Sequence, residues 1–180
     1  MNEMQNYTPG EGMTPKTVSA EMMISRQAQE VQAAMIAAKY FPRNEVESYN
    51  RILNACKRRS LAEQAVYEYP RGGENVTGPS IRLAEAMAKN WGNLDYGYNE
   101  LERKGNSSTV MAYCWDLETN VRQTKIFAVP HIRQTKNGAK ALTDPRDIYE
   151  MVSNQAARRV RACILGIIPG DVVDAAVDAC

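Results

Sequence analysis

Apolar positions return every third or fourth residue in the first half of the chain and every second residue in its middle, so helices are predicted to flank a group of strands. Ile24, Ala28, Val31, Met35 and Ala38 mark an amphipathic helix over about residues 19–40, which Phe41-Pro42 ends. Asn44 with Glu47 three residues on gives a capping-box start, and Val46, Tyr49, Leu53 and Cys56 are the expected apolar stripe of a second helix running into Lys57, Arg58 and Arg59. Ala65, Tyr67 and Tyr69 alternate as a short strand that enters the turn-rich loop PRGGENVTGP. Helical spacing resumes from Ser80 to Trp91, with Leu83, Ala84, Met87 and Trp91 on one side and Gly92 as the stop.

Three sheet-forming runs follow, GNLDYGYNELERKG, NSSTVMAYCWDLETN and VRQTKIFAVP. Leu94, Tyr96 and Tyr98 share a face in the first; Met111, Tyr113, Trp115 and Leu117 oppose Val110, Ala112 and Cys114 in the second. The third sets Ile126 and Ala128 against Phe127 and Val129, so the second and third strands are expected to be central or covered on both faces. A polar, basic loop from His131 to Asp144 has a turn tip at Asn137-Gly138. The last helix starts with Asp144 as N-cap and Pro145 at its first position, and buries Ile148, Met151 or Val152, Ala156, Val160, Cys163 and Ile167 on the way to Pro169. The fold class expected is α+β: a three-stranded antiparallel meander packed on a long helix, a β-β-β-α core with additional N-terminal helices.

At 180 residues the chain has room for one sizeable core. Residues 1–18, rich in Gly, Pro, Asn and Thr without apolar period, are expected to be a flexible segment, leaving 19–180 as one domain. No leader pattern and no membrane-length apolar run is found, which implies a cytoplasmic protein. Cys56, Cys114, Cys163 and Cys180 are dispersed and His131 is the sole histidine, so a metal or iron-sulfur centre, another cofactor and a disulfide are not expected. The thiols read as small buried hydrophobes.

Charge changes the picture more than composition does. The net charge is +1, yet residues 51–169 hold 18 Lys or Arg against 12 Asp or Glu. Arg122, Lys125, Arg133, Lys136 and Lys140 fall in a stretch without carboxylates, and Arg158, Arg159 and Arg161 in another. Segregated cations are an electrostatic footprint for phosphate, so these residues, with Arg82 and the run Lys57, Arg58 and Arg59, are the candidate nucleic-acid contacts. Because 100° separates successive helical residues, at most two of Arg158, Arg159 and Arg161 can share a face. Tyr96, Tyr98, Tyr113 and Trp115 are expected in the core, base stacking being the alternative use of such rings. Asp116, Glu118 and Lys125 form the one compact carboxylate-lysine group, which a metal-dependent nuclease would need to converge; flanking of the turn at Thr119-Asn120 is the simpler role. No GxxxxGK[ST] loop occurs, so an ATP-driven recombinase is not indicated.

The order of elements carries a resemblance. The helix SIRLAEAMAKNWGNL, the junction WGNLDYGY, the meander and the basic helix SNQAARRVRACILGIIP resemble, over about residues 78–169, the core of the phage single-strand annealing proteins. That superfamily is the one of RecT, Redβ and Erf, and it includes the eukaryotic Rad-fifty-two annealing domain. The resemblance implies a non-enzymatic, ATP-independent protein of the bacterial host cytoplasm that binds single-stranded DNA and the annealed duplex along a basic groove. It further implies a homo-oligomeric ring or helical filament, with a phage exonuclease or a host single-strand binding protein as partners. The chain ends at AAVDAC, short of the C-terminal module by which longer members recruit the host protein. The alternatives are a metal-dependent phage nuclease, or a phage DNA-binding or structural protein that does not anneal.

Overall fold

The computed structural model describes residues 15–135 and 138–180, with two units, one ending at Tyr40 and one comprising residues 41–180. In the first, helix α1 runs Pro15–Tyr40, beginning four residues before the expected start. Its apolar residues Met22, Met23, Ile24 and Ile36 are exposed.

The second unit is α+β. Helix α2 (Glu45–Cys56) is capped by Asn44, whose side chain accepts from the Glu47 N–H at 3.1 Å. Of the expected stripe Cys56 is buried, Tyr49 and Leu53 are half-buried and Val46 is exposed, while Ser48, Ile52 and Ala55 complete the buried face. Ser48 joins that face because its hydroxyl donates to the Trp91 carbonyl at 3.0 Å and so is satisfied inside the core. A short helix α3 (Arg59–Ala62) leads into strand β1 (Val66–Arg71), which pairs antiparallel with β2 (Glu74–Pro79). The expected loop is therefore a hairpin. Gly72 and Gly73 have φ of 62° and 92°, and a two-residue turn of type I′ needs positive φ at both central positions.

Helix α4 (Ile81–Trp91) buries Leu83, Ala84, Met87, Ala88 and Trp91, as its spacing predicts, and Ser80 caps it. Strands β3 (Leu94–Lys104), β4 (Ser107–Asp116) and β5 (Arg122–Pro130) form the antiparallel meander, in the order β3-β4-β5. Helix α5 (Pro145–Leu165), capped by Asp144 with Pro145 in its first turn, packs Val152, Ala156, Val160, Cys163 and Ile164 on one face of that sheet. Ala112 and Cys114 are small enough for the helix to come close, and the Cys163 thiol reaches the Ala112 carbonyl at 3.7 Å. Tyr96 and Tyr98, opposite Cys114 and Ala112, complement those small residues, and the Tyr98 hydroxyl meets Ser153 at 2.9 Å.

β4 is the central strand, as one of the two expectations had it, but β5 is an edge strand and the sheet is covered on one face only. Val110, Ala112 and Cys114 are fully buried, whereas Met111, Tyr113 and Trp115 on the other face are half-buried and Ile126 is 65% exposed. Residues 132–135 and 138–141 are strands β6 and β7 of a hairpin in the expected basic loop; Lys136 and Asn137 lie outside the described residues. The final helix ends at Leu165, and a separate helix α6 (Gly170–Asp178) lays Val172 and Ala176 into the core. Among the described residues no helix is long and apolar enough to cross a membrane.

Candidate nucleic-acid interface

Hairpin β1–β2 and helix α5 together line a groove. Tyr67 and Tyr69, two residues apart and hence on one face of β1, stack with ring centroids 5.9 Å apart and planes at 22°. The Tyr67 ring lies across Gly78 on the paired strand, where an added Cβ would stand 2.8 Å from its hydroxyl. From the helix, the Arg161 guanidinium covers the Tyr67 ring at 4.4 Å, and Arg158, exposed, lines the same groove. Glu68 contributes a carboxylate to the rim, where the Asn75 amide donates to it. Planar rings beside guanidinium groups offer stacking for bases and charge for phosphates in one place.

Arg159 projects to the opposite margin of α5. It stacks on Phe127 of β5 at 4.6 Å and donates to the Gln155 side chain. Lys125, two residues before Phe127, occupies the same face of β5 and is exposed. The three arginines therefore divide two and one. Among the described residues none of the three has a carboxylate partner, so their charge is available to a ligand.

The other predicted cations scatter. Arg58 and Arg82 line a depression between α2, α3 and α4 together with Lys89, which was not among the expected contacts. Lys57 donates to Asn54, Arg59 is paired with Glu63 at 2.7 Å, and Arg133 reaches Asp147 at 3.4 Å. Lys140 is exposed opposite Arg133 on the β6–β7 hairpin, and Lys136 lies outside the described residues. The structure thus does not join all these residues into one track.

The carboxylate pair that a nuclease would use is already occupied. The Arg43 guanidinium donates to both Asp116 and Glu118, with all three side chains largely buried, and stacks on Trp91 at 5.2 Å. Asp116 also accepts from the Glu118 and Thr119 N–H groups, as the turn-flanking role requires, and Asn93 donates to Glu118 at 2.7 Å. Lys125 sits well up β5, opposite Ala112, and belongs to another margin. Among the described residues no cluster of three His, Cys, Asp or Glu could hold a metal ion.

Burial pushes the Glu118 carboxyl up. Hydrogen bonds from Asn93 and from the Arg43 backbone and guanidinium outweigh that effect and hold it below its ordinary value of 4.5. A carboxyl held down stabilises the fold above its unfolded pKa and loses that contribution as pH falls through the folded value. Urea midpoints should therefore decline from about pH 4.5 downward, and Glu118→Gln should show a shallower decline over the same range. Parallel acid profiles for the two proteins would contradict this.

Ser108 and His131 form a buried pair, Oγ to Nε2 at 2.8 Å, with Ser108 wholly enclosed. A nucleophile without access to solvent serves the fold, tying β4 to the start of β6. On the open face of the sheet Arg122 lies over Tyr113 at 5.1 Å and Trp115 at 5.2 Å, so these half-buried rings stand at the margin and not in the core. Comparison with protein-family models, curated proteins and solved structures finds no match.

Proposed function

We propose that the chain binds single-stranded DNA in the groove between hairpin β1–β2 and helix α5 and anneals complementary strands without ATP. The observation that carries this reading is the Tyr67–Tyr69 stack under Arg161, with unpaired Arg158 beside it. Stacking on rings tolerates any base, and guanidinium contacts follow the phosphates, which is what a sequence-independent annealing protein requires. The resemblance of residues 78–169 to the phage annealing proteins supports the same reading. Homo-oligomeric action fits the exposed apolar residues of α1, which offer surface to another copy. The setting proposed is the cytoplasm of a bacterial host, with a phage exonuclease or host single-strand binding protein as working partners. No observation favours the nuclease, since Arg43 engages both carboxylates it would need.

The test is a fluorescence annealing assay with complementary oligonucleotides, free of nucleotide and run with and without EDTA. Annealing should accelerate equally in both, and the logarithm of strand affinity should fall against the logarithm of salt by about 0.7 for each phosphate neutralised. Cleavage that needs metal, or binding indifferent to salt, would overturn the proposal.

A further inference from the structure

We infer that the depression between α2, α3 and α4 is a separate binding site for a ligand that carries a phosphate monoester, either the end of a nucleic-acid strand or a free nucleotide. It shares no described lining residue with the groove of Tyr67, Tyr69, Arg158 and Arg161. The inference is therefore independent of what that groove binds.

Helical geometry gathers the cations. Because α4 buries Leu83, Ala84, Met87, Ala88 and Trp91, its residues Arg82, Ala86 and Lys89 form a stripe on the side turned away from the core. Two helical turns separate Arg82 from Lys89, about 10 Å along the axis, and both side chains are long enough to reach a ligand lying between them. Arg58 supplies the opposite wall. It follows α2 in extended backbone, φ −76° and ψ 119°, and precedes α3, which Leu61 anchors against the core cluster.

These charges are also left over. Elsewhere on the helices arginines take a carboxylate four residues away, as Arg26 does Glu30, Arg51 Glu47 and Arg59 Glu63. Glu85 stands three residues after Arg82 and four before Lys89, yet among the described residues it pairs with neither, and Arg58 has no carboxylate partner. Three cations and one carboxylate line the depression, an excess of two positive charges. A phosphate monoester at neutral pH carries about −1.5 to −2 and matches that excess, whereas each diester of a strand interior carries a single charge. The depression encloses about 340 Å³, which leaves room for a sugar or base beside the phosphate, against the apolar wall of Ala55, Leu61 and Ala86.

Thymidine 5′-monophosphate and thymidine are each dialysed to equilibrium against the full chain at low salt. The monophosphate should be retained and thymidine should not, and inorganic phosphate should compete with the monophosphate. Arg82→Ala with Lys89→Ala, both exposed positions, should weaken retention by roughly tenfold or more, because hydrogen bonds to a charged group are lost. Glu85→Gln should tighten it, a gain that damage to the fold cannot produce. Tyr67→Ala with Arg161→Ala should leave it unchanged. One oligonucleotide, made with a 5′-phosphate and with a 5′-hydroxyl, tells the two sources apart. Where the strand end is the ligand, the phosphate should strengthen binding to wild type and not to the Arg82→Ala, Lys89→Ala protein; retention of the mononucleotide alone assigns the site to free nucleotides. Equal retention of thymidine and its monophosphate would overturn the proposal. So would undiminished retention in the Arg82→Ala, Lys89→Ala protein, or loss of retention in the Tyr67→Ala, Arg161→Ala protein, which would place the nucleotide in the groove.

Discussion

Arg43→Ala should lower the free energy of unfolding by roughly 3–5 kcal/mol, the cost of leaving buried charge without its partner. Two carboxylates depend on this one guanidinium, whose side chain is 6% exposed. Removing it strands Asp116 and Glu118 in a site that also packs against Trp91, so charge, hydrogen bonds and ring contact are lost together. Arg43→Lys should recover only part of the loss, because an ammonium cannot bridge two carboxylates and lie flat on an indole in the way a planar guanidinium does. Urea unfolding at neutral pH measures both variants. Asp116→Asn with Glu118→Gln in the Arg43→Ala background should restore some of the stability, since the uncompensated charges are then gone. An Arg43→Ala loss below about 1 kcal/mol, the size expected of an exposed pair, would show that the network is not desolvated.

Tyr67→Ala combined with Arg161→Ala should weaken single-strand binding by roughly 5- to 150-fold, the equivalent of about 1–3 kcal/mol for one lost base stack. The salt slope should also shrink by about 0.7 for the missing cation. Arg159→Ala removes a cation from the other margin of α5, where it covers Phe127, and should cost much less. An oligonucleotide carrying abasic sites separates the two contributions. It should bind wild-type protein more weakly than an intact strand does, and should bind the Tyr67→Ala variant no worse than an intact strand does. Thermal midpoints of the variants, followed by circular dichroism, distinguish a lost contact from a lost fold. Equal affinity of wild type and double variant for an intact strand would place the strand elsewhere.

The helices of the second unit were largely legible because their apolar residues keep a period that only one buried face can satisfy. Asp144 and Pro145 marked the start of α5, and Val152, Ala156, Val160 and Cys163 its buried face. α2 was read in part: Cys56 and Tyr49 do face the core, but Val46 does not, and a pattern of polarity cannot know that Ser48 finds the Trp91 carbonyl. β5 was misread for a related reason: Ile126 is apolar whether or not anything covers it, and only the packing of α5 on one side reveals that nothing does. The β1–β2 hairpin had a local signal in Gly72-Gly73, but Glu74, Asn75, Gly78 and Pro79 are poor strand formers and masked it. At the candidate site, the cations were visible as acid-free stretches while the tyrosines were not. Tyr67 and Arg161 are brought together by tertiary placement, and Arg43 is 73 residues from the carboxylate it neutralises. No spacing rule spans such separations.

Gly78 gives the groove a dependence that no contact made by its own side chain records. An added carbon at position 78 would stand 2.8–3.2 Å from the Tyr67 hydroxyl and ring, so the ring keeps its present orientation only while that carbon is missing. Substitution would therefore act unevenly along β2: at Thr77, exposed and away from the ring, it leaves the groove alone, while at position 78 it displaces the Tyr67 ring although Gly78 carries no charge, ring or donor for a ligand. Two positions that look unrelated in the sequence, one aromatic and one glycine, thus set the groove wall together.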